Sequence, residues 1–201
     1  LTAETLIISS SVTNLTTQFA SGSTRFGDTQ DDLHEFTGSL MISGARIDIN
    51  DGKNNTGLGK LALASITTGA NNVGVGRSAG GSLTTGIQNV LVGQSAGLDL
   101  TIAQYNVAIG MEALRTEDVG DRSVAIGYRS LYSQNSDSNN EDTLNVAIGF
   151  QAGYYNVTGK QNTYVGASAG VGSSGQSHTG NTGIGARALT SVTTAGNNVG
   201  V

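Results

Sequence analysis

Asn106-Val-Ala-Ile-Gly110, Ser123-Val-Ala-Ile-Gly127 and Asn145-Val-Ala-Ile-Gly149 are three spellings of one five-residue phrase, which recurs from Asn55 to the end of the chain. The other copies are Asn55-Thr-Gly-Leu-Gly59, Asn72-Val-Gly-Val-Gly76, Asn89-Val-Leu-Val-Gly93, Asn162-Thr-Tyr-Val-Gly166, Asn181-Thr-Gly-Ile-Gly185 and Asn198-Val-Gly-Val201. The steps between copies are 17, 17, 17, 17, 22, 17, 19 and 17 residues. A fixed period with occasional insertions is what stacked coils produce, because each repeat contacts only the repeats before and after it. The phrase therefore predicts an all-β chain: a parallel β-solenoid over residues 51–201, with coils of about 17 residues.

Each place in the phrase has a physical reading. The second and fourth residues are mostly β-branched and share one face of a strand, the face expected to form the core of the coil. The residue between them is mostly small although it points the other way, which implies close packing on that side as well. Gly at the fifth place in all eight complete copies implies a positive φ or a close backbone approach. Asn at the first place predicts a ladder of side chains hydrogen-bonded along the stack, with Ser123 as its interruption. Three residues after each Gly comes Ala or Ser, then Leu or Gly, as in Ala62-Leu63 and Ala79-Gly80. The rest of each coil varies. Both insertions, at Gln134 to Thr143 and Val171 to Thr179, fall there, so it is expected to be the outward loop.

Composition narrows the function classes. The 201 residues include 30 Gly, no Pro, Cys or Trp, and only 12% charged residues. Without Cys, disulfides and thiol chemistry are excluded. The net charge is −5 with basic residues scattered singly, which argues against nucleic acid and anionic membranes as partners. No apolar run approaches the ~18 residues of a membrane span, so no membrane insertion is expected. The chain starts at Leu1 and stops inside a repeat, which points to a piece of a longer protein.

Residues 1–50 read as an extended stalk and connector. Ile8, Val12, Leu15 and Phe19 make one short seam with a/d spacing, set among Ser and Thr, which are poor helix formers. A brief three-stranded coiled coil and an extended interchain strand both fit. Ser21 to Phe36 is a polar, turn-rich connector in which Asp28, Asp31, Asp32, His34 and Glu35 invite a metal reading. A solvated acidic loop is favoured, since no second His completes a site. Thr37 to Asn50 alternates as a strand pair or a bulged strand leading into the first coil.

Nine strands at ~4.8 Å apart span roughly 40 Å. Each coil holds only a few apolar side chains against an ordering cost of about 1–2 kcal/mol per residue, so a lone column is marginal. Packing three columns side by side buries both strand faces, and closed symmetry prevents open-ended growth. The expected unit is a homotrimer with a trimeric stalk.

Chemical readings fare poorly. Gly74-x-Gly76-x-x-Ala79 and Gly183-x-Gly185-x-x-Ala188 match a dinucleotide fingerprint by letter but leave no room for the helix it requires. A glycan hydrolase needs paired carboxylates in an aromatic-lined cleft. Glu112, Glu117, Asp118 and Asp121 are the candidates by charge, with Tyr105, Tyr128, Tyr132, Phe150, Tyr154, Tyr155 and Tyr164 as the aromatics. At variable places in the coil such carboxylates are expected to be solvated. A glycan-contacting patch of tyrosines is a subsidiary reading, and ice binding by Thr ranks a remote one. His178, in an insertion, is expected at the surface. Asn14, Asn54 and Asn156 head glycosylation sequons, irrelevant in a prokaryotic or viral protein. No catalytic, cofactor-binding or metal residue is assigned, and the chain is read as no enzyme.

The three Val-Ala-Ile-Gly copies resemble the Asn-Ser-Val-Ala-Ile-Gly repeat of the YadA-like head of trimeric autotransporter adhesins, a left-handed parallel β-roll, though with a longer period. Ser23 to Leu40 resembles a segment found in tail fibres of bacteriophages, especially marine and cyanobacterial ones. The resemblances imply a trimeric, elongated fibre and carry no chemistry. The function they suggest is a structural part of a phage tail fibre or similar virion appendage presenting a distal host-receptor-binding tip. The expected partners are its own copies, other fibre or virion proteins, and host-surface glycans or receptors. The alternative is a bacterial cell-surface adhesin head, extracellular, binding host or matrix.

Overall fold

The computed structural model describes residues 52–139 and 141–201. The expected stalk, the acidic connector with Asp28, Asp31, Asp32, His34 and Glu35, the strands of Thr37 to Asn50 and the sequon at Asn14 lie outside the described residues. The described part is a parallel β-solenoid of about eight turns. Its strands are β1 (Thr56–Leu58), β2 (Val73–Val75), β3 (Val90–Val92), β4 (Val107–Ile109), β5 (Val124–Ile126), β6 (Val146–Ile148), β7 (Thr163–Val165), β8 (Thr182–Ile184) and β9 (Val199–Gly200). They form one sheet in chain order, each pair parallel. The register aligns equivalent residues, so Ala108 faces Ala125 and Ala125 faces Ala147. No helix among the described residues is long and apolar enough to cross a membrane.

The coils are joined by short hydrogen bonds that repeat at each level. Val107 N–H donates forward to the Ser123 carbonyl at 2.9 Å, and Gly110 N–H donates back to the Val92 carbonyl at 2.7 Å. The strand glycines from Gly59 to Gly185 have φ between 120° and 138°. A Cβ on Gly110 would lie 2.5 Å from the carbonyl oxygen of Gly127, so both reasons for Gly at this place hold. The chain also turns through left-handed φ at non-Gly corners. Among them are the residues two places beyond Gly, from Leu61 to Arg187 at 53° to 63°. Each such corner costs about 1–2 kcal/mol, offset by N–H groups that bond across coils, as Glu112 to the Gln94 carbonyl at 2.9 Å.

The Asn ladder forms as expected. Asn89 Nδ2 donates to Asn72 Oδ1 at 3.0 Å and to the Ala103 carbonyl at 2.8 Å, while Asn89 Oδ1 accepts the Asn106 N–H at 3.0 Å. At Ser123 the ladder is mended by the first insertion. Gln134 Nε2 donates to Ser123 Oγ at 3.1 Å, and Gln134 Oε1 accepts from Asn145 Nδ2 at 2.9 Å. Ser123 Oγ also shares a 2.6 Å bond with Thr143 Oγ1.

The core corrects the expected sidedness. In each strand from β2 to β8 the middle residue is buried, and the branched residues on either side are half-buried or exposed. Ala108, Ala125, Ala147, Leu91 and Tyr164 therefore point inward, and Val107, Ile109 and Ile126 outward. The cause is the narrow coil. The strand's inner side chains meet the opposite wall directly, so size is matched across the coil. Where the strand offers Leu91 or Tyr164, the wall offers Gly97 or Gly170; where it offers Ala108 or Ala125, the wall offers Leu114 or Leu131. A Cβ on Gly97 would sit 2.7 Å from both Leu91 and Leu100. Such complementary filling is what a close-packed interior demands.

Candidate interaction face

Strand alternation sends the second and fourth residues of every phrase outward, so the sheet carries two rows of Val, Ile, Leu and Thr along its outer face. The residue before each phrase and the one after its Gly flank these rows. Of the twelve large apolar side chains exposed among the described residues, only Leu61 lies off these four rows. In two coils three of the four rows are exposed at once: Tyr105, Ile109 and Met111 in one, at 37% to 41%, and Leu144, Ile148 and Phe150 in the other, at 38% to 51%. A contiguous apolar surface of this kind marks an interaction site, whereas single exposed residues do not.

The edge of this face runs into an aromatic ladder. Tyr128 stacks on Phe150 with centroids 5.4 Å apart, and Tyr132 on Tyr154 at 5.0 Å. Tyr155 meets Tyr154 edge-on at 4.6 Å. Arg129 sits 5.0 Å from the Tyr128 centroid and 5.3 Å from that of Tyr132, with its Nε donating to Glu112 Oε2 at 2.6 Å. That bond holds the Arg129 guanidinium above its ordinary pKa. Arg115 lies over Tyr132 and Arg122 over Tyr105. The rings use their faces on one another and on guanidinium groups, leaving edges and hydroxyls for any sugar. Tyr164 is not part of this ladder; it is fully buried in the core.

The candidate carboxylates are not gathered in a cleft. Glu112 belongs to the aromatic edge. Glu117 and Asp121 are buried instead of solvated, at 0% and 3% exposure. Glu117 Oε1 accepts N–H bonds from Asp118, Val119, Gly120 and Ser136, and its Oε2 accepts from Gln134 Nε2 at 2.9 Å and Ser136 Oγ at 3.0 Å. It is thus the polar plug of its coil, tying the first insertion to the body. Asp121 Oδ1 accepts the Gln104 N–H at 2.7 Å. Burial raises its pKa, against that hydrogen bond and nearby Arg122. Asp118 is half-buried beside them. Arg122 pairs with Asp142, and Lys160 with Glu141. No group of three His, Cys, Asp or Glu among the described residues could hold a metal ion.

His178 also departs from expectation: it is 1% exposed. Its Nδ1 bonds the Tyr164 hydroxyl at 2.7 Å, its backbone N–H donates to Asn156 Oδ1 at 3.2 Å, and Nε2 is buried without a partner. Burial lowers the His178 pKa and pushes that of Tyr164 well above the ordinary phenol range. Asn156, head of a sequon, is likewise internal. Thr67, Thr84 and Thr101 stack along three coils, but each hydroxyl donates to the carbonyl of the next, so this rank does not present free hydroxyls. Gly74 and Gly76 lie in a strand and its corner, with no helix following.

The fold defines the class: a parallel β-solenoid with an uncovered apolar sheet face. No family model, curated protein or solved structure matches the chain.

Proposed function

We propose that this chain is a structural, non-enzymatic protein, a homotrimeric β-solenoid rod carried on an N-terminal stalk. In this reading it is part of a phage tail fibre or similar virion appendage, holding a receptor-binding tip away from the particle. The observation that carries the association is the apolar outer sheet face, which extends along all the coils and which a soluble column would otherwise leave in water. Three faces turned toward a common axis bury it and close the assembly. Support for the virion setting comes from the resemblance of Ser23 to Leu40 to tail-fibre segments. Immunogold labelling of virions with antibody to the solenoid tests it. Label along a tail appendage is expected, and label confined to bacterial cell surfaces would sink it.

That second outcome belongs to the alternative, an adhesin head whose side binds host or matrix. The aromatic edge of Tyr128, Tyr132, Phe150 and Tyr154 favours it, because its stacked rings keep part of their surface exposed. A glycan array with the assembled protein decides whether this edge contacts sugar: binding lost in Tyr132→Ala supports the contact, and an empty array removes it.

A further inference from the structure

One column of the solenoid changes character in mid-stack. Leu98, Arg115, Tyr132, Tyr154 and Val171 hold equivalent places in successive coils, each carbonyl accepting an N–H from the coil before it at 3.0 to 3.3 Å. The backbone closes as well over Leu or Val as over the guanidinium and the two rings, so coil formation does not call for them. In a repeat architecture such a departure from the neighbouring repeats is informative. Arg115, Tyr132 and Tyr154 lie off the four rows of the sheet face that the proposed trimer covers, as do Glu112 and Arg129 in a nearby column. Two guanidinium groups share one carboxylate there. Arg129 Nε donates to Glu112 Oε2 at 2.6 Å, whereas Arg115 Nε stands 4.0 Å from Glu112 Oε1 and is buried without a hydrogen-bond partner. Neither Arg pairs with another carboxylate among the described residues. Arg129 lies over the Tyr128 and Tyr132 rings, a contact that uses the face of its guanidinium and leaves the Nη donors in its plane. A stacked guanidinium with an open fork is the donor that carboxylates and phosphates take up in bidentate fashion.

We infer that this column binds an acidic polysaccharide lying along the stack, with its carboxylate or phosphate groups on Arg115 and Arg129 and its hydroxyls on those of Tyr132 and Tyr154. The inference rests on the sugar contact of the alternative reading and adds the charge of the ligand. Because the ring faces are spent on one another and on guanidinium groups, a neutral sugar that binds by stacking finds little here. Charge is what the site offers: two guanidinium groups against one carboxylate, in a chain whose net charge is −5. A saccharide also fits better than an acidic peptide. Coils stand ~4.8 Å apart, close to the advance of a polysaccharide per sugar, while an extended peptide rises ~3.3 Å per residue and falls out of step with them.

Affinity electrophoresis of the full chain through gels holding polygalacturonate, phosphomannan or fully methyl-esterified pectin tests this. Retardation by an acidic polymer and not by the neutral ester is expected, with polygalacturonate reporting a carboxylate site and phosphomannan a phosphate site. Arg129→Gln should weaken it at least about tenfold, and so should Arg129→Lys, which keeps the charge without the flat fork. Arg187 holds the place of Arg129 three coils further on, and Arg187→Gln should change retardation less than about twofold, as expected of a charge outside the site. Circular dichroism checks that each variant is folded. Equal losses in Arg129→Gln and Arg187→Gln would reduce the effect to net charge and overturn the inference. Retardation by the ester, lost in Tyr132→Ala and untouched by Arg129→Gln, would overturn it and leave a neutral sugar contact standing. No retardation by any of the three polymers would remove both.

Discussion

Tyr164 and His178 share a 2.7 Å hydrogen bond in the centre of the seventh coil, the hydroxyl of one on Nδ1 of the other. The bond ties the second insertion to the core. Because His178 Nε2 has no partner, a second proton there would add an unsatisfied, buried charge.

From this follows a pH dependence. The stability contributed by neutral His178 is fully present above its ordinary value of 6.5 and falls as pH drops below it, levelling beneath the folded ring's own lowered value. Asp121 works the other way and further down, since its raised pKa favours the folded state as pH approaches its ordinary 3.8. The melting temperature is expected to decline between pH 7 and 5, and His178→Gln is expected to flatten that decline. An unchanged slope in the variant would place the titrating group elsewhere.

The sidedness of the strands separates two substitutions at adjacent positions. Ala125 is buried with its neighbours packed on it, and Ile126 faces outward. Ala125→Asp is expected to unfold its coil, at a cost of several kcal/mol, about what an unpaired buried charge demands. Ile126→Asp should leave the circular dichroism spectrum intact and dissociate the proposed trimer. Equal damage to the fold by both would return the branched residues to the core.

At Gly110, φ is +130° and a Cβ would meet the Gly127 carbonyl oxygen at 2.5 Å. Gly110→Val should destabilise by on the order of 3 kcal/mol through strain and displacement of the next coil. Gly175 has φ +72° but open space around it, so Gly175→Ala should cost only about 1 kcal/mol. Chemical denaturation of the two variants checks the difference, and equal losses would mean that the close approach contributes nothing.

Asn89→Ala strips the Asn106 N–H and the Ala103 carbonyl of their partners. With each orphaned buried group costing about 1–3 kcal/mol, the variant should lose on the order of 3 kcal/mol. Thermal unfolding measures it, and a loss below what a surface Asn shows would deny the ladder its structural role.

Much of this fold was legible because period and residue type act locally: seventeen-residue steps fix stacking, and Gly and Asn at set places fix corner and ladder. Sidedness was not. Alternation has the same period whichever parity faces inward, and a coil too narrow for two branched rows turns the usual preference over. The buried polar residues did have a signal. Glu117 and Gln134 stand 17 and 34 residues beyond Leu100, in the same column as buried Leu83 and Leu100, so counting along the column places them inside despite their polarity. His178 escaped because the insertion of Val171 to Thr179 shifts the count.

The account depends most on the covering of the outer sheet face, and sedimentation equilibrium of the wild-type chain tests that directly. A single species at three times the 20.4 kDa chain mass, reduced to one chain mass by Ile126→Asp, is the expected result. A stable wild-type monomer at micromolar concentration would contradict it.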